Sequence, residues 1–184
     1  MIIKPTIFPK AFQPRAPLRK ALQRMLYAIM LLYTCAHTAT AQPPPPRPIS
    51  LFVDPAQGLI FGAFFQGPSG GTVIIYADGS RSVTGSLIGA NLGFPFSPAV
   101  FEIDATTGTS ISIMNGPDVT LTGSNGGSIS LHIGAASTGA QFVTTVTSPT
   151  RTQVSIGGTL TVGNPLSNPS GSYSGSFSIT FIQE

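Results

Sequence analysis

Residues 173–181 of this chain read Tyr-Ser-Gly-Ser-Phe-Ser-Ile-Thr-Phe. From Tyr173 onward, the odd-numbered positions carry large apolar side chains, apart from Gly175, and the even-numbered positions carry Ser or Thr. Successive side chains of a β-strand point to opposite faces, so this alternation predicts a strand with one buried face and one face in water. The stretch decides the fold class because the same period of two recurs through most of the chain before it.

Other segments repeat the alternation, and Gly, Asn, Ser and Pro separate them. These predicted strands are Leu59–Phe65, Thr72–Ala77, Ser82–Ile88, Ala99–Ile103, Ser110–Ile113, Val119–Thr122, Ser128–Ile133, Phe142–Val146 and Gln153–Val162. Asp78-Gly79 stands between two of them, where a tight primed hairpin turn needs residues that tolerate positive φ. We predict an all-β fold, an antiparallel immunoglobulin-like or pilin-like β-sandwich of about nine strands, with a barrel as the alternative.

The N-terminal segment has the composition of an export signal. Six basic residues and no acid precede the apolar run Met25–Ala36, and Ala39-Thr40-Ala41 follows. Small residues at these positions fit a signal peptidase, so we predict a signal helix cleaved between Ala41 and Gln42. An organelle transit peptide and a later translation start are the alternatives. The apolar run is too short for a membrane span, which takes about 20 residues.

This boundary divides the chain into a signal peptide (1–41), a proline-rich spacer (42–48) and one sandwich domain (49–184). Pro43–Pro46 favour an extended, stiff conformation. Directly after the spacer, Ile49, Leu51 and Val53 share one parity. We expect this stripe either to enter the molecule's own sandwich beside Leu59–Phe65 or to add a strand to a neighbouring subunit.

Removal of the signal changes the electrostatics of the protein. Six of the nine basic residues leave and all six acids remain, so the net charge changes from +3 to −3. Only Arg47, Arg81 and Arg151 remain, scattered along the chain, which argues against nucleic-acid binding because that requires clustered Lys and Arg. Cys35 is the only cysteine and lies in the signal, so the domain has no disulfide.

The residue types that could carry chemistry are sparse. Glu102 and Asp104 would share one strand face as an acid pair, but Phe101 and Ile103 take the opposite parity, so we expect both carboxylates to face water. His132 lies on a polar face with serines and lacks a nucleophile motif. The stretch 67–72 is glycine-rich but lacks a phosphate-binding lysine and helix, so we interpret it as a turn. We assign no catalytic, cofactor-binding or metal-binding residue and no cofactor.

Several glycine-marked motifs resemble the bacterial family known as domain of unknown function 4402. They begin with Phe61-Gly62 and run through Gly70-Gly71-Thr72-Val73 to Thr84-Gly85. The C-terminal motifs are Gly157-Gly158-Thr159-Leu160 and Gly171-Ser172-Tyr173. The resemblance covers residues 57–182. It implies an exported β-sandwich of pilin-like or adhesin-like character and supplies no catalytic residues.

These observations lead us to expect an exported structural or adhesive cell-surface protein, such as a pilin-like subunit, and not an enzyme. We expect it in the periplasm, at the cell surface or outside the cell. Its partners would be further copies of itself, by strand exchange or fibre assembly, or surface glycans and proteins. The alternative is a surface binding module for a carbohydrate or host ligand, with the loop Asn91–Pro98 as its site. The chain has no tryptophan, so stacking on a sugar would use Phe64, Phe65, Phe94, Phe96 or Tyr76, but we expect most of these aromatics to lie in the core.

We predict that the exported protein begins at Gln42, because Ala39 and Ala41 fit the peptidase and the proline run leaves the junction exposed. Intact-mass measurement of the exported protein checks this. A retained Met1 terminus, or a lipid on Cys35, would contradict it.

Overall fold

The computed structural model describes residues 16–36 and 47–184. The predicted cleavage site between Ala41 and Gln42, and the prolines 43–46, lie outside the described residues. The first unit consists of helix α1 (Ala16–Ala36), which lies within the predicted signal segment. No helix in the described parts of the chain is both long and apolar enough to cross a membrane.

The second unit is built from antiparallel strands, which confirms the predicted all-β sandwich. It contains eleven strands where the sequence predicts about nine. Their bounds are β1 (Ser50–Val53), β2 (Ala63–Ile75), β3 (Arg81–Ala90), β4 (Ala99–Asp104), β5 (Ser110–Asn115), β6 (Val119–Gly123), β7 (Ser128–Ala136), β8 (Gln141–Val143), β9 (Thr152–Val162), β10 (Tyr173–Ser174) and β11 (Ile179–Gln183). A single 3-10 turn, Pro55–Gln57, follows β1.

The strands form two sheets. The larger sheet has eight strands, in which β1, β4, β9, β7, β6 and β10 follow one another and β2 joins both β9 and β3. The smaller sheet has the order β11-β5-β8. Every strand pairing within these sheets is antiparallel.

Strand β9 is the centre of the larger sheet. Along one edge, its first half pairs with β4 up to Ile156, and its second half pairs with β2 from Gly158 onward. Its other edge pairs with β7. Gly157 lies between the two halves, where the end of β2 passes so close that a Cβ at Gly157 would lie 2.1 Å from the carbonyl oxygen of Ile75. The absence of a side chain therefore permits three strands to meet at this point.

The core consists of the inward-facing residues of the alternating strands. In β7, Ile129, Leu131 and Ile133 are buried while their neighbours Ser128, Ser130 and His132 are exposed, as the sequence predicts. Their burial removes apolar surface from water, the dominant favourable term in folding. The buried apolar cluster comprises Phe61, Val73, Ile75, Leu87, Ala99, Phe101, Ile103, Ala105, Ile111, Leu121, Ile129, Leu131, Ile133, Val154, Ile156, Leu160 and Val162.

The opening stretch 173–181 keeps its alternation but is not one strand. Tyr173–Ser174 pairs with β6 in the larger sheet, whereas Ile179–Gln183 pairs with β5 in the smaller one. Residues 175–178 carry the chain between the two sheets. The prediction of a continuous strand is therefore wrong, because alternation reports which side chains are buried and not which strand they pair with.

The stretch 67–72 is also not a turn. It lies inside β2, which joins parts of the predicted segments 59–65 and 72–77 and changes register between Gln66 and Gly71. The side chain of Gln66 donates to the carbonyl oxygen of Gly163 at 2.7 Å. A bulge therefore replaces the predicted turn: residues 67–70 of β2 stand against Ser86 of β3, and the two strands pair on both sides of it.

The hairpin at Asp78-Gly79 is confirmed, although the turn is not a primed one. The amide of Gly79 donates to the carbonyl of Tyr76, and of the two residues only Gly79 has a positive φ, +87°. This is the geometry of a three-residue loop that ends in a left-handed glycine. Hydrogen bonds from the hydroxyl and the amide of Ser80 hold the pKa of the Asp78 carboxyl below its usual value.

We predict that Gly157→Ala lowers the free energy of unfolding by at least about 2 kcal/mol, because the new methyl group meets a backbone carbonyl that cannot rotate away. Chemical denaturation measures the change. Gly58→Ala is the matched control, since both glycines lack a positive φ and no atom lies within 4 Å of a Cβ at Gly58. It should stay within about 0.5 kcal/mol of wild type. Equal effects of the two substitutions would contradict the close approach at Gly157.

Candidate functional site

Strand β1 is an open edge of the larger sheet. It pairs only with β4 among the described residues, in the register Ser50–Asp104 to Val53–Phe101. Leu51, Phe52 and Val53 remain 42–55% exposed. A four-residue strand with one neighbour and exposed apolar side chains buries little surface of its own. The chain therefore holds β1 more weakly than any strand inside the sheet.

One side-chain cluster holds β1 against the sheet. The guanidinium of Arg151 lies 3.6 Å from the centroid of the Phe52 ring, and its Nη1 donates to Glu102 Oε2 at 2.8 Å. Glu102 stands directly opposite Phe52 in the strand pair. Arg151 thus bridges β1 and β4 by a cation–π contact and an ion pair, and we call these three residues the Arg151 clamp.

The clamp is partly in water, which limits its strength. The side chains of Arg151 and Glu102 are 38% and 44% exposed. Exposed ion pairs contribute about 0.2–1 kcal/mol, and an exposed cation–π contact contributes about 0.5–1 kcal/mol. The clamp can therefore position β1 without locking it in place.

The predicted stripe Ile49, Leu51 and Val53 enters its own sandwich at a different place from the one expected. It lies beside β4 and not beside Leu59–Phe65, because the 3-10 turn Pro55–Gln57 separates β1 from β2. Only Ile49 packs against the buried core. Leu51 and Val53 are about half-exposed at the edge of the sheet.

The acid pair lies on the outward side of β4 as predicted, but both residues are half-buried and Glu102 forms an ion pair, so the carboxylates are not simply solvated. Glu102 and Asp104 alternate with the buried Phe101 and Ile103 along β4. Glu102 is engaged by Arg151, which the sequence does not indicate because Arg151 lies 49 positions away.

His132 is exposed and forms a pair that the sequence analysis missed. Its Nδ1 lies 2.7 Å from Asp118 Oδ1, and both side chains are more than 60% exposed. The hydrogen bonds found in the described residues include none between His132 and a serine hydroxyl. The spacing of Asp118 and His132 across the β6–β7 hairpin is the signal that could have predicted the pair.

Other polar groups act as structural ties. The hydroxyl of the buried Thr144 donates to the carbonyl of Thr106 at 2.6 Å, and the buried Asn168 links the amide of Gly163 to the carbonyl of Ser128. The carboxylate of Glu184 accepts hydrogen bonds from Gln141 and Ser112, which joins the three strands of the smaller sheet. In the described parts of the chain, no three potential metal ligands come together.

The loop Asn91–Pro98 is apolar at its surface. Leu92, Phe94 and Phe96 are exposed, as is Phe65 of β2. The expectation that most of the candidate aromatics lie in the core is therefore wrong, and of those named only Phe64 packs against it. Tyr76 is also exposed, and it lines an open groove of about 580 Å³ between the end of β2 and the middle of β9. Tyr76 lies next to the β2–β3 turn, and this turn approaches the loop, since a Cβ at Gly79 would lie 4.0 Å from the ring of Pro98.

The fold and its open edge define the class of protein: an antiparallel β-sandwich whose N-terminal edge strand is held by a small surface clamp. A family model described as domain of unknown function, DUF4402, matches residues 51–182. The chain belongs to this family. The match begins within β1, so this strand is part of the family's domain. Searches among curated proteins and solved structures gave no significant match.

We predict that Phe52 and Arg151 are energetically coupled. In a double-mutant cycle with Phe52→Ala and Arg151→Ala, chemical denaturation should give a coupling free energy of about 0.5–1 kcal/mol, because each substitution removes the same cation–π contact.

The matched control is the cycle of Phe52→Ala with His132→Ala, whose residues share no partner. That cycle should be additive within about 0.3–0.5 kcal/mol. Additivity of the Phe52–Arg151 cycle would contradict the clamp.

Proposed function

We propose that this protein is an exported structural or adhesive cell-surface protein, a pilin-like subunit that associates with further copies through β1 and performs no catalysis. The single observation that carries the proposal is the state of β1, a short, half-exposed apolar strand at an open sheet edge, held by the Arg151 clamp. A strand held in this way can leave its own sheet and pair with the β4 edge of another copy at small cost.

Three further features support the proposal. The N-terminal basic and apolar segment is typical of an export signal. The proline composition of the segment before β1 favours an extended spacer, which would increase the reach of the strand. The exposed faces of the strands are rich in Ser and Thr, which suits a surface that stays in water while association occurs at strand edges.

The mechanism follows from backbone hydrogen bonding. When β1 leaves, β4 exposes unpaired amide and carbonyl groups from Phe101 to Asp104. The β1 strand of another copy satisfies these groups in the same register. Its Phe52 can then stack on the Arg151 of the copy that supplies β4. Exchange therefore replaces each contact with an identical one. Its net free energy is set by the turn 55–57 and by the concentration of chains.

We predict that exchange is trapped by an engineered disulfide between β1 and β4. Ser50 and Asp104 are opposite each other, so Ser50→Cys with Asp104→Cys, in a Cys35→Ser background, should form disulfides when the exported protein is oxidised. In an exchanged assembly these bonds join different chains, and non-reducing electrophoresis shows a ladder of linked oligomers.

The control is Ser130→Cys with Thr161→Cys, which joins β7 and β9 inside the sheet. It should give only monomers with an internal disulfide. If the Ser50–Asp104 pair also gives only monomers with an internal disulfide at every protein concentration, β1 stays in its own chain and the proposed assembly is wrong.

A further inference from the structure

A second surface of the sandwich is apolar beyond what packing requires. Phe65, Ile88, Leu92, Phe94 and Phe96, which we call the apolar patch, are each 43–67% exposed. The chain carries no charged residue from Ser82 to Pro98. Soluble monomers rarely leave a large apolar surface uncovered, and such surfaces mark interaction sites.

The five residues form one continuous surface. Phe65 of β2 stands directly opposite Ile88 of β3. The loop that carries the other three begins straight after Ala90, which lies two residues beyond Ile88 and pairs with Ala63. The loop folds back onto β2, since a Cβ at Gly62 would lie 3.2 Å from the carbonyl oxygen of Phe94.

Arg81 fixes the shape of this surface. Its Nη2 donates to the carbonyl oxygen of Ala63 at 2.7 Å, and its guanidinium carbon lies 5.4 Å from the centroid of the Phe96 ring. Burial lowers the pKa of the Arg81 guanidinium from its usual value, although an arginine stays charged at physiological pH. The patch is therefore preformed, which reduces the entropy lost when a partner binds.

The patch borders an unpaired strand edge. Among the described residues, β3 pairs only with β2. It is ten residues long and carries no charge after Arg81, whereas the edge strands β1, β8, β10 and β11 have four, three, two and five residues. Long edges without charges or prolines are templates for pairing with another chain.

We infer that two copies of the chain pair through their β3 edges, antiparallel about a two-fold axis near Ser86–Ala90, and bury their apolar patches together. A two-fold axis brings the same strand edge to itself, so Ile88 of one copy meets the patch of the other. This inference concerns a different edge from β1 and holds whether or not β1 exchanges.

Area and charge favour a second copy as the occupant. Each side chain of the patch exposes on the order of 100 Å², and together with the strand edge this approaches the roughly 800 Å² per partner of a standard interface. Residues 47–184 carry a net charge of −3, which disfavours attraction to an anionic lipid surface. The charge-free patch avoids repulsion between two such copies.

The test measures self-association of the full chain by sedimentation velocity over a concentration series. We expect dimers paired through β3 to increase with concentration, in addition to any oligomers formed by exchange of β1. Ile88→Lys and, separately, Leu92→Lys should each weaken the dissociation constant at least tenfold, because each places two lysines in the interface. The control is Leu166→Lys, because Leu166 is 94% exposed and lies outside the patch; it should leave the constant unchanged. Circular dichroism verifies that each variant is folded.

Cross-linking tests the register. Ile88→Cys in a Cys35→Ser background should form a disulfide-linked dimer on oxidation, and Leu166→Cys should not. A wild-type chain that stays monomeric, equal effects of all three lysine variants, or equal cross-linking of the two cysteine variants would overturn the inference. Binding of monomeric wild type to neutral phosphatidylcholine vesicles, lost in Ile88→Lys, would assign the patch to lipid instead. A failed β1 disulfide ladder does not alter these outcomes.

Discussion

Strand β9 must satisfy hydrogen bonds along both of its edges while it changes partners halfway along one of them. Before Gly157 this edge pairs with β4, and after it with β2. Strand β1 is attached to β4, and β3 is attached to β2. The open edges formed by β1 and β3 are therefore each separated from β9 by one strand, and both lie on the same side of β9. The close approach at Gly157 sets the position of each.

The exposed face of the larger sheet accounts for the many Ser and Thr residues of the chain. Thr84, Thr72, Thr161, Ser130 and Thr120 stand opposite one another across β3, β2, β9, β7 and β6, so one row of hydroxyl side chains crosses the sheet. The hydroxyls of Thr72 and Thr84 lie 2.6 Å apart. Hydroxyl groups keep the face hydrated without the self-repulsion of many like charges. Association is then directed to the strand edges, where apolar side chains and free backbone groups are found.

The sequence predicts burial much better than connectivity. Alternation identifies the buried side chains of β4 and β7 because each side chain's environment depends only on its own parity. Strand pairing is a long-range property, so the division of 173–181 between two sheets and the continuity of β2 through residues 67–71 could not be deduced. The motifs Gly70-Gly71-Thr72-Val73 and Gly157-Gly158-Thr159-Leu160 echo each other, and they lie on neighbouring strands, where Thr72 pairs with Thr161 and Val73 with Leu160.

The residues of the candidate site illustrate the same limit. Phe52 and Glu102 come together only because β1 pairs with β4, and Arg151 joins them because it immediately precedes β9, which also pairs with β4. No local pattern around Arg151 indicates this contact. In contrast, the sequence shows that the loop after β3 is apolar, but it does not show that Phe94 and Phe96 are exposed, because an apolar residue predicts burial unless the fold leaves it uncovered.

Native-state hydrogen exchange tests most directly the claim that β9 is stable until the whole domain unfolds, whereas the edge strand β1 opens locally. The account predicts that the amides of Val154–Val162 exchange only through global unfolding, with rates that fall as the free energy of unfolding rises. The β1 amides that donate to β4 should exchange through local opening that denaturant barely affects. Exchange of β1 and β9 amides with one common free energy would contradict the account.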